Sequence, residues 1–260
     1  MKPKKEHYRQ KLPHFQQSGQ CYSVTVSLEE AMPKGAMEKY SRKLALKESQ
    51  YKQLMEQEKS TTGDMDFPAS IILDPEQKDT KSFDLGNSIA IESKSQLAEA
   101  KTAYYAALRN YRLAYDKFLH ISKEPTILLI KPNHLEVIKD ALRFWDGKRL
   151  NSHTWCIMSN HFHWVLTVFD KDEHGEPIFL QDILHSVKQF TAKRINKAEN
   201  RNGQLWSHES FETTIRNNDH FAYVFNYVIN NPVSAGLIED WKNWPGTWTE
   251  DMDFPKSMNL

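Results

Sequence analysis

Apolar residues recur along this chain with two different periods, which predict strands interrupted early by a long helical segment. Residues 21–28 alternate and are rich in β-branched side chains, which is typical of a strand. Within residues 37–59 and again within 93–119, apolar residues recur at helical spacing and predict two helices. Turn-forming residues between them predict a loop over 60–92. We therefore expect an inserted helical hairpin, and such a hairpin also fits a packing element or dimerisation arm without chemistry.

The second half of the chain alternates between strand and helix patterns. The predicted elements are a helix over 134–145, strands over 152–158 and 161–168, a helix over 180–198, a strand over 210–215 and a helix over 219–230. Without the hairpin, this order predicts an α+β fold, a ferredoxin-like antiparallel sheet with helices on one face. The predicted divisions are an N-terminal arm and first strand over 1–36, the inserted hairpin over 37–120 and the rest of the domain over 121–260.

Composition narrows the possible functions without naming one. The chain has 260 residues, with 34 basic and 34 acidic side chains, so its formal net charge is zero. This balance argues against a protein that holds nucleic acid by bulk charge, although a local basic groove stays possible. The two cysteines, Cys21 and Cys156, are too few for a disulfide scaffold or a four-thiolate zinc site.

The longest apolar runs, such as residues 126–130, are too short to span a bilayer. The charged N-terminal stretch is not followed by an apolar segment, so no secretory signal is visible. We therefore expect a cytoplasmic protein without a membrane partner.

Two histidines two residues apart provide the first candidate chemistry. His161 and His163 lie on a predicted strand, where alternate residues share a face, and Phe162 should point the other way into the core. Two adjacent imidazoles can form half of a divalent metal site. The same pair also fits two partly exposed histidines of an ordinary sheet.

A phenol and an amide on the last predicted helix provide the second candidate for catalytic chemistry. Tyr227 and Asn231 are four residues apart and should lie on one helical face. A divalent metal, an amide oxygen ligand and a phenol suit the attack of a tyrosine on a DNA phosphodiester. Considered by itself, the helix also fits half-buried aromatic residues with no catalytic role.

A different metal site can be drawn from the same strands. His153, Cys156, His161 and His163 could form a hydrolytic or structural centre. Strict strand alternation places His153 and Cys156 on opposite faces, which disfavours this reading.

Several ordered motifs resemble one protein family. The stretch Trp155-Cys-Ile-Met-Ser-Asn-His-Phe-His-Trp-Val-Leu166 resembles the signature of single-tyrosine HUH transposases, in which a proline usually occupies the position of Ser159. The chain is similar in particular to the REP-associated tyrosine transposases and their IS200-like relatives. The resemblance extends over residues 184–196, 205–207, 211–216, 227–237 and 244–245.

This resemblance implies an HUH endonuclease fold and assigns roles by position. His161 and His163 would be metal ligands, Tyr227 the nucleophile and Asn231 the side chain that completes the metal site. The implied activity is metal-dependent cleavage and rejoining of single-stranded, hairpin-associated DNA through a covalent 5′-phosphotyrosine, with Mg²⁺ or Mn²⁺ as the ion. The alternative is a domesticated protein that binds DNA hairpins without turnover.

Basic residues near these motifs are candidates for DNA contact. They are Lys188, Lys193, Arg194, Lys197, Arg201 and Arg216. A basic helical stripe can follow a single-stranded backbone, but the same stripe also fits a solvated helix face. The expected partner is single-stranded or hairpin DNA, and the resemblance leaves both a monomer and a homodimer open.

Overall fold

The computed structural model describes residues 7–9, 13–15, 17–33, 35–63, 80–121 and 125–250. The chain divides into two units. The first unit contains residues 1–33 and 119–260, and the second contains residues 34–118.

An antiparallel sheet forms the centre of the first unit. The strands of the chain are β1 His7–Arg9, β2 Pro13–Phe15, β3 Cys21–Ser27, β4 Leu150–Ile157, β5 His161–Val168, β6 Phe211–Thr214 and β7 Thr247–Thr249. Strands β1 and β2 pair with each other, and the other five form one sheet in the order β6-β3-β5-β4-β7. The predicted α+β, ferredoxin-like arrangement is confirmed, and β7 extends it at the β4 edge.

Helices flank this sheet and fill the insertion. They are α1 Glu38–Gly63, α2 Thr80–Ile121, α3 Pro132–Arg143, α4 Leu180–Ala198, α5 Asn218–Ile229 and α6 Asn231–Ser234, with 3-10 turns at Glu29–Ala31 and Trp241–Asn243. Within the described ranges, no helix combines the length and apolar character needed to cross a membrane.

The two faces of the sheet carry different layers. On one face, Trp155 pairs with Trp164 across β4 and β5, and the guanidinium of Arg143 at the end of α3 lies 5.5 Å from the Trp155 ring centroid. Helix α4 packs beside α3 in the same layer. On the opposite face, Val224 and Val228 of α5 pack in a buried cluster with sheet residues. Helices α3 and α4 therefore share one face, as expected, whereas α5 covers the opposite face, so the prediction that the helices lie on one face was wrong for α5.

A β-bulge changes the alternation of β4. The register between β4 and β5 shifts between Ser152 and Thr154, so one residue of β4 has no opposite partner. Such an extra residue shifts the alternation of the strand by one position. Side chains before the bulge therefore point to the face opposite to the one that strict alternation from the later residues predicts. The prediction that His153 and Cys156 face opposite sides was therefore wrong, because the His153 ring contacts Phe221 of α5 and Cys156 belongs to the cluster under α5.

The helices of the insertion are longer than their sequence pattern predicted. Helix α1 continues to Gly63 and α2 begins at Thr80, so the ends of the predicted 60–92 loop are helical. The prolines that indicated a loop, Pro68 and Pro75, lie outside the described residues, and residues 80–92 contain none that would interrupt a helix. Within this unit, Tyr51 of α1 and Tyr104 of α2 stack with their ring centroids 5.8 Å apart.

Two smaller corrections concern helix ends. Helix α3 ends at Arg143, whereas the predicted helix extended to residue 145, and Phe144 beyond its end is 56% exposed. Helix α5 ends at Ile229, and Asn231 begins the separate short helix α6, so Tyr227 and Asn231 do not share one continuous helix.

Candidate active site

The two histidines of β5 form a buried pair on the face that α5 covers. His161 and His163 are each 1% exposed, and their Nε2 atoms lie 3.1 Å apart. Phe162 between them is fully buried on the other face, as the strand alternation predicted. The pair therefore does not consist of partly exposed sheet histidines.

Asn160 fixes the orientation and the tautomer of His161. The Nδ2 of Asn160 donates a hydrogen bond to the carbonyl of Leu119 at 2.8 Å, which leaves its Oδ1 to accept from His161 Nδ1 at 2.6 Å. An amide oxygen can only accept, so Nδ1 of His161 carries the proton. In a neutral ring, Nε2 of His161 then presents a lone pair.

Thr25 holds the orientation of His163 without fixing its tautomer. Thr25 on β3 lies opposite His163 on β5, and its Oγ1 is 2.8 Å from His163 Nδ1. A hydroxyl can donate or accept, so this contact permits either tautomer of His163. The ring can therefore donate to His161 or, with the hydroxyl rotated, present its own Nε2 lone pair.

The surroundings keep both rings uncharged. Burial, reinforced by the neighbouring His163 and His120, lowers the pKa of His161 well below its usual range. Burial, reinforced by His120, lowers the pKa of His163 to about 3. Both imidazoles are thus neutral at physiological pH, the state in which an imidazole binds metals.

Helix α5 brings Tyr227 to this pair. The side chain of Asn217 caps the helix by accepting from the backbone N–H of His220 at 2.8 Å. The next turns pack on the sheet through Val224 and Val228, which places Tyr227 against the same cluster. Its hydroxyl oxygen is buried, and its ring lies edge-on to His163 with centroids 5.4 Å apart.

Asn231 also reaches the site, although it lies on α6. Its side chain is fully buried, and its proximity to His161 opposes the lowering of that ring's pKa. Its Nδ2 is buried and has no hydrogen-bond partner in the part of the chain that the structure describes. The amide is therefore held through Oδ1, the atom that can act as a metal ligand.

A third imidazole lies beside the pair and was not predicted. The ring of His120, near the end of α2, has its centroid 5.9 Å from that of His161, and its Nε2 is 3.1 Å from Asn231 Oδ1. No spacing pattern links residue 120 to either motif. Asn160, in contrast, lies in the quoted signature, and its role follows only from the contact with Leu119.

The donor set fits a cation that takes only part of its coordination from the protein. Two nitrogens bound to one ion at about 2.1 Å must lie within about 4.2 Å of each other, and the two Nε2 atoms meet this condition. Among the residues described, no group of three or more His, Cys, Asp or Glu side chains is arranged to hold a metal. The available protein ligands are thus two imidazoles and one amide oxygen, which leaves room for water and phosphate.

The alternative centre built on His153 and Cys156 does not assemble. His153 Nδ1 contacts Glu250, and its Nε2 lies 2.8 Å from the hydroxyl of Thr167. Cys156 lies directly opposite His163, but burial raises the pKa of its thiol to about 12, so the metal-binding thiolate is disfavoured.

The candidate DNA-contact residues lie in different environments. Lys193, Arg194, Lys197 and Arg216 are exposed, and Lys188 and Arg201 are half-buried. Lys188 donates to the carbonyls of Ser207 and His208 at 3.0 and 3.4 Å, and burial lowers its pKa to about 8. Lys188 thus anchors the segment before β6, whereas the exposed cations of α4 are open to a ligand.

Comparison with known proteins gives two matches. A Haemophilus influenzae protein, whose name places it among the REP-associated tyrosine transposases, is 25% identical over 97 residues, which are 35% of this chain and 53% of the relative. The chain is similar to the REP-associated tyrosine transposases. A solved structure of a REP-associated tyrosine transposase bound to a REP hairpin covers 95% of this chain and 93% of that chain, with 13% identity and a TM-score of 0.39. No family model matches the chain.

The similarity to REP-associated tyrosine transposases agrees with the sequence resemblance but is limited in extent. The match spans about half the length of the curated relative. The roles that the sequence resemblance implies for Tyr227, His161, His163 and Asn231 therefore stay predictions.

Proposed function

We propose that this protein is a transposase-like, metal-dependent endonuclease and strand transferase that acts on single-stranded, hairpin-associated DNA. The observation that carries the proposal is the convergence of four side chains from three elements. Tyr227 of α5 and Asn231 of α6 approach the His161–His163 pair of β5 from the same side of the sheet.

The proposed roles follow from the chemistry of each group. The Oη of Tyr227 forms a bond to the scissile phosphorus while the bond from phosphorus to the 3′ oxygen breaks. The product is a 5′-phosphotyrosine with a free 3′-OH, and the proton that the phenol loses balances the proton that the 3′ oxygen gains. Attack by another DNA 3′-OH reverses these changes and rejoins the strand, so no external energy source is required.

The environment of the site supports this chemistry. A divalent cation, Mg²⁺ or Mn²⁺, held by His161, His163 and Asn231 would polarise the scissile phosphate and orient it for in-line attack. Asn160 and Thr25 hold the two rings through their Nδ1 atoms, so the Nε2 atoms require little rearrangement to bind. Burial of the phenol hydroxyl restricts competing water near the nucleophile.

The proposed DNA partner is supported by charge and by the curated relative. Lys193, Arg194 and Lys197 present cations along the exposed side of α4, where they can follow a phosphate backbone. The ring of Phe190 lies 5.3 Å from the Arg194 guanidinium and is 42% exposed, which adds a surface on which a base can stack. The curated relative is named as a REP-associated tyrosine transposase, a name that fits a DNA substrate.

A covalent-trapping experiment tests the proposal. The full chain is incubated with Mg²⁺ or Mn²⁺ and with labelled single-stranded oligonucleotides that contain imperfect hairpins from DNA flanking the gene. We expect a denaturation-resistant protein–DNA adduct that is absent in Tyr227→Phe and in reactions with EDTA. Tyr223→Phe is the matched control, because Tyr223 lies one turn earlier on α5 and is 63% exposed.

The same experiment separates cleavage from binding alone. An adduct that persists in Tyr227→Phe would refute the assigned nucleophile. Tight hairpin binding without any adduct in the wild-type protein would instead support the domesticated, non-catalytic binding protein.

A further inference from the structure

The imidazole of His120 is in direct contact with the candidate metal site but has no role in the chemistry proposed above. It follows Leu119 near the end of α2, and both residues belong to the first unit. The inference drawn from it rests on the proposed function, because it concerns the cation that the site would hold.

The backbone beside His120 is fixed by the same residue that orients His161. Asn160 donates from Nδ2 to the carbonyl of Leu119 at 2.8 Å and accepts from His161 at its Oδ1. Asn160 is itself 3% exposed, so this connection is shielded from water. The position of His120 is thus coupled to the position of the pair by two short hydrogen bonds.

The contact between His120 and Asn231 has a defined direction. The amide oxygen of Asn231 can only accept, so Nε2 of His120 carries a proton and donates over 3.1 Å. This bond uses one of the two acceptor directions of the oxygen and leaves the other for a cation. Since the Asn231 Nδ2 has no partner in the described residues, contacts at Oδ1 are what orient the amide.

We propose that His120 is a positioning residue that holds the Asn231 amide oxygen toward the His161–His163 pair and thereby sets the affinity of this site for a divalent cation. Hydrogen bonds to ligand side chains typically change metal affinity by about 10- to 100-fold when removed. His120 acts through Asn231, so its effect should vanish when the amide is absent.

Mn²⁺ binding to the full chain provides a test that does not depend on DNA cleavage. The dissociation constant is measured by electron paramagnetic resonance of free Mn²⁺ after removal of bound metal with EDTA. His120→Phe keeps a ring but cannot donate, and we expect it to raise the dissociation constant about 10- to 100-fold. His120→Gln places an amide N–H near the position of Nε2, and we expect it to restore binding to within about threefold.

A double-mutant cycle separates positioning from general damage to the fold. Asn231→Ala should weaken Mn²⁺ binding, and adding His120→Phe to it should cause little further loss, because the two changes remove one shared interaction. His153→Phe is the matched control, since it removes another hydrogen-bonded, half-buried histidine outside the site. Circular dichroism shows whether each variant is folded, and His120→Leu, which also cannot donate a hydrogen bond, replaces His120→Phe if that variant is not.

Each result decides the inference. It is overturned if wild-type protein does not bind Mn²⁺, if folded His120→Phe binds with wild-type affinity, if His120→Gln fails to rescue, or if the losses in the double mutant add. Loss of Mn²⁺ affinity in His120→Phe, together with wild-type protein that gives no DNA adduct, would support the role of His120 while refuting the proposed cleavage reaction.

Discussion

Replacing Thr25 by valine removes the hydrogen bond that orients His163 while nearly preserving the shape of the side chain. Thr25 is 9% exposed, and its hydroxyl lies 2.8 Å from His163 Nδ1. Without this hydroxyl, a buried ring nitrogen loses its partner, which costs about 1–3 kcal/mol of folding free energy. The melting temperature should fall by about 2–4 °C for each kcal/mol lost in a protein of this size.

Thr25→Val should also weaken metal binding, independently of its effect on fold stability. Loss of a hydrogen bond to a ligand histidine weakens metal affinity by about 10- to 100-fold, equivalent to about 1.4–2.8 kcal/mol of binding free energy. We therefore expect Thr25→Val to raise the Mn²⁺ dissociation constant by that factor in titrations at pH 7.5. The stabilisation of the fold by saturating Mn²⁺ should shrink by a corresponding amount.

Thr154→Val is the matched control for this prediction. Thr154 is a fully buried threonine of the same sheet, and its hydroxyl donates to the carbonyl of Trp248 at 2.8 Å. Both variants should lose stability, but only Thr25→Val should lose Mn²⁺ affinity. Equal Mn²⁺ affinities in the two folded variants would refute the role assigned to Thr25.

Three further predictions concern the rest of the first unit. Burial lowers the pKa of His163 to about 3, so below about pH 6.5 the unfolded chain takes up a proton at this residue that the folded chain rejects. Urea unfolding of metal-free protein should therefore show a stability that falls from pH 7 to pH 5, with about 2 kcal/mol of the loss from His163 and a further loss from the similarly buried His161. His163→Gln should lose less stability over this range, and an unchanged slope would contradict the contribution of His163. Burial raises the pKa of the Cys156 thiol to about 12. In Cys21→Ser, a thiol reagent at pH 8 should therefore react with Cys156 only after unfolding, and rapid labelling of the native protein would contradict this prediction. A Cβ at Gly246 would lie 2.1 Å from the carbonyl oxygen of Ile157. Gly246→Ala should therefore lower the free energy of unfolding in urea by about 3 kcal/mol. Wild-type stability of this variant would show that β7 can shift freely.

Local periodicity predicted element limits and side-chain faces correctly where they depend on a single helix or strand. The helix predicted over 180–198 is α4 with the same limits, and β5 begins and ends where its alternation predicted. The shared face of His161 and His163 follows from the two-residue period of a strand alone. The spacing of two histidines within β5 was therefore enough to indicate a candidate metal site.

These periodic patterns did not predict features that depend on contacts between distant segments. The bulge after Ser152 reversed the parity that strict alternation assigned to His153, because bulges depend on pairing with a neighbouring strand. Strand β7 has three residues, too few for a periodic signal, and it forms by pairing with β4. Phe144 continues an apolar pattern in the sequence, but the helix ends one residue earlier and the ring is exposed.

The amino-acid sequence by itself determined the order of strands and helices, the common face of the two β5 histidines and the proximity in sequence of Tyr227 and Asn231, since each depends on backbone periods of a few residues. Only the tertiary structure decided that His120 lies beside Asn231, 111 residues away, and that Thr25 of another strand faces His163. These contacts depend on strand register and helix packing, which are set by the simultaneous burial of many side chains from distant parts of the chain. A short stretch of sequence therefore does not determine them.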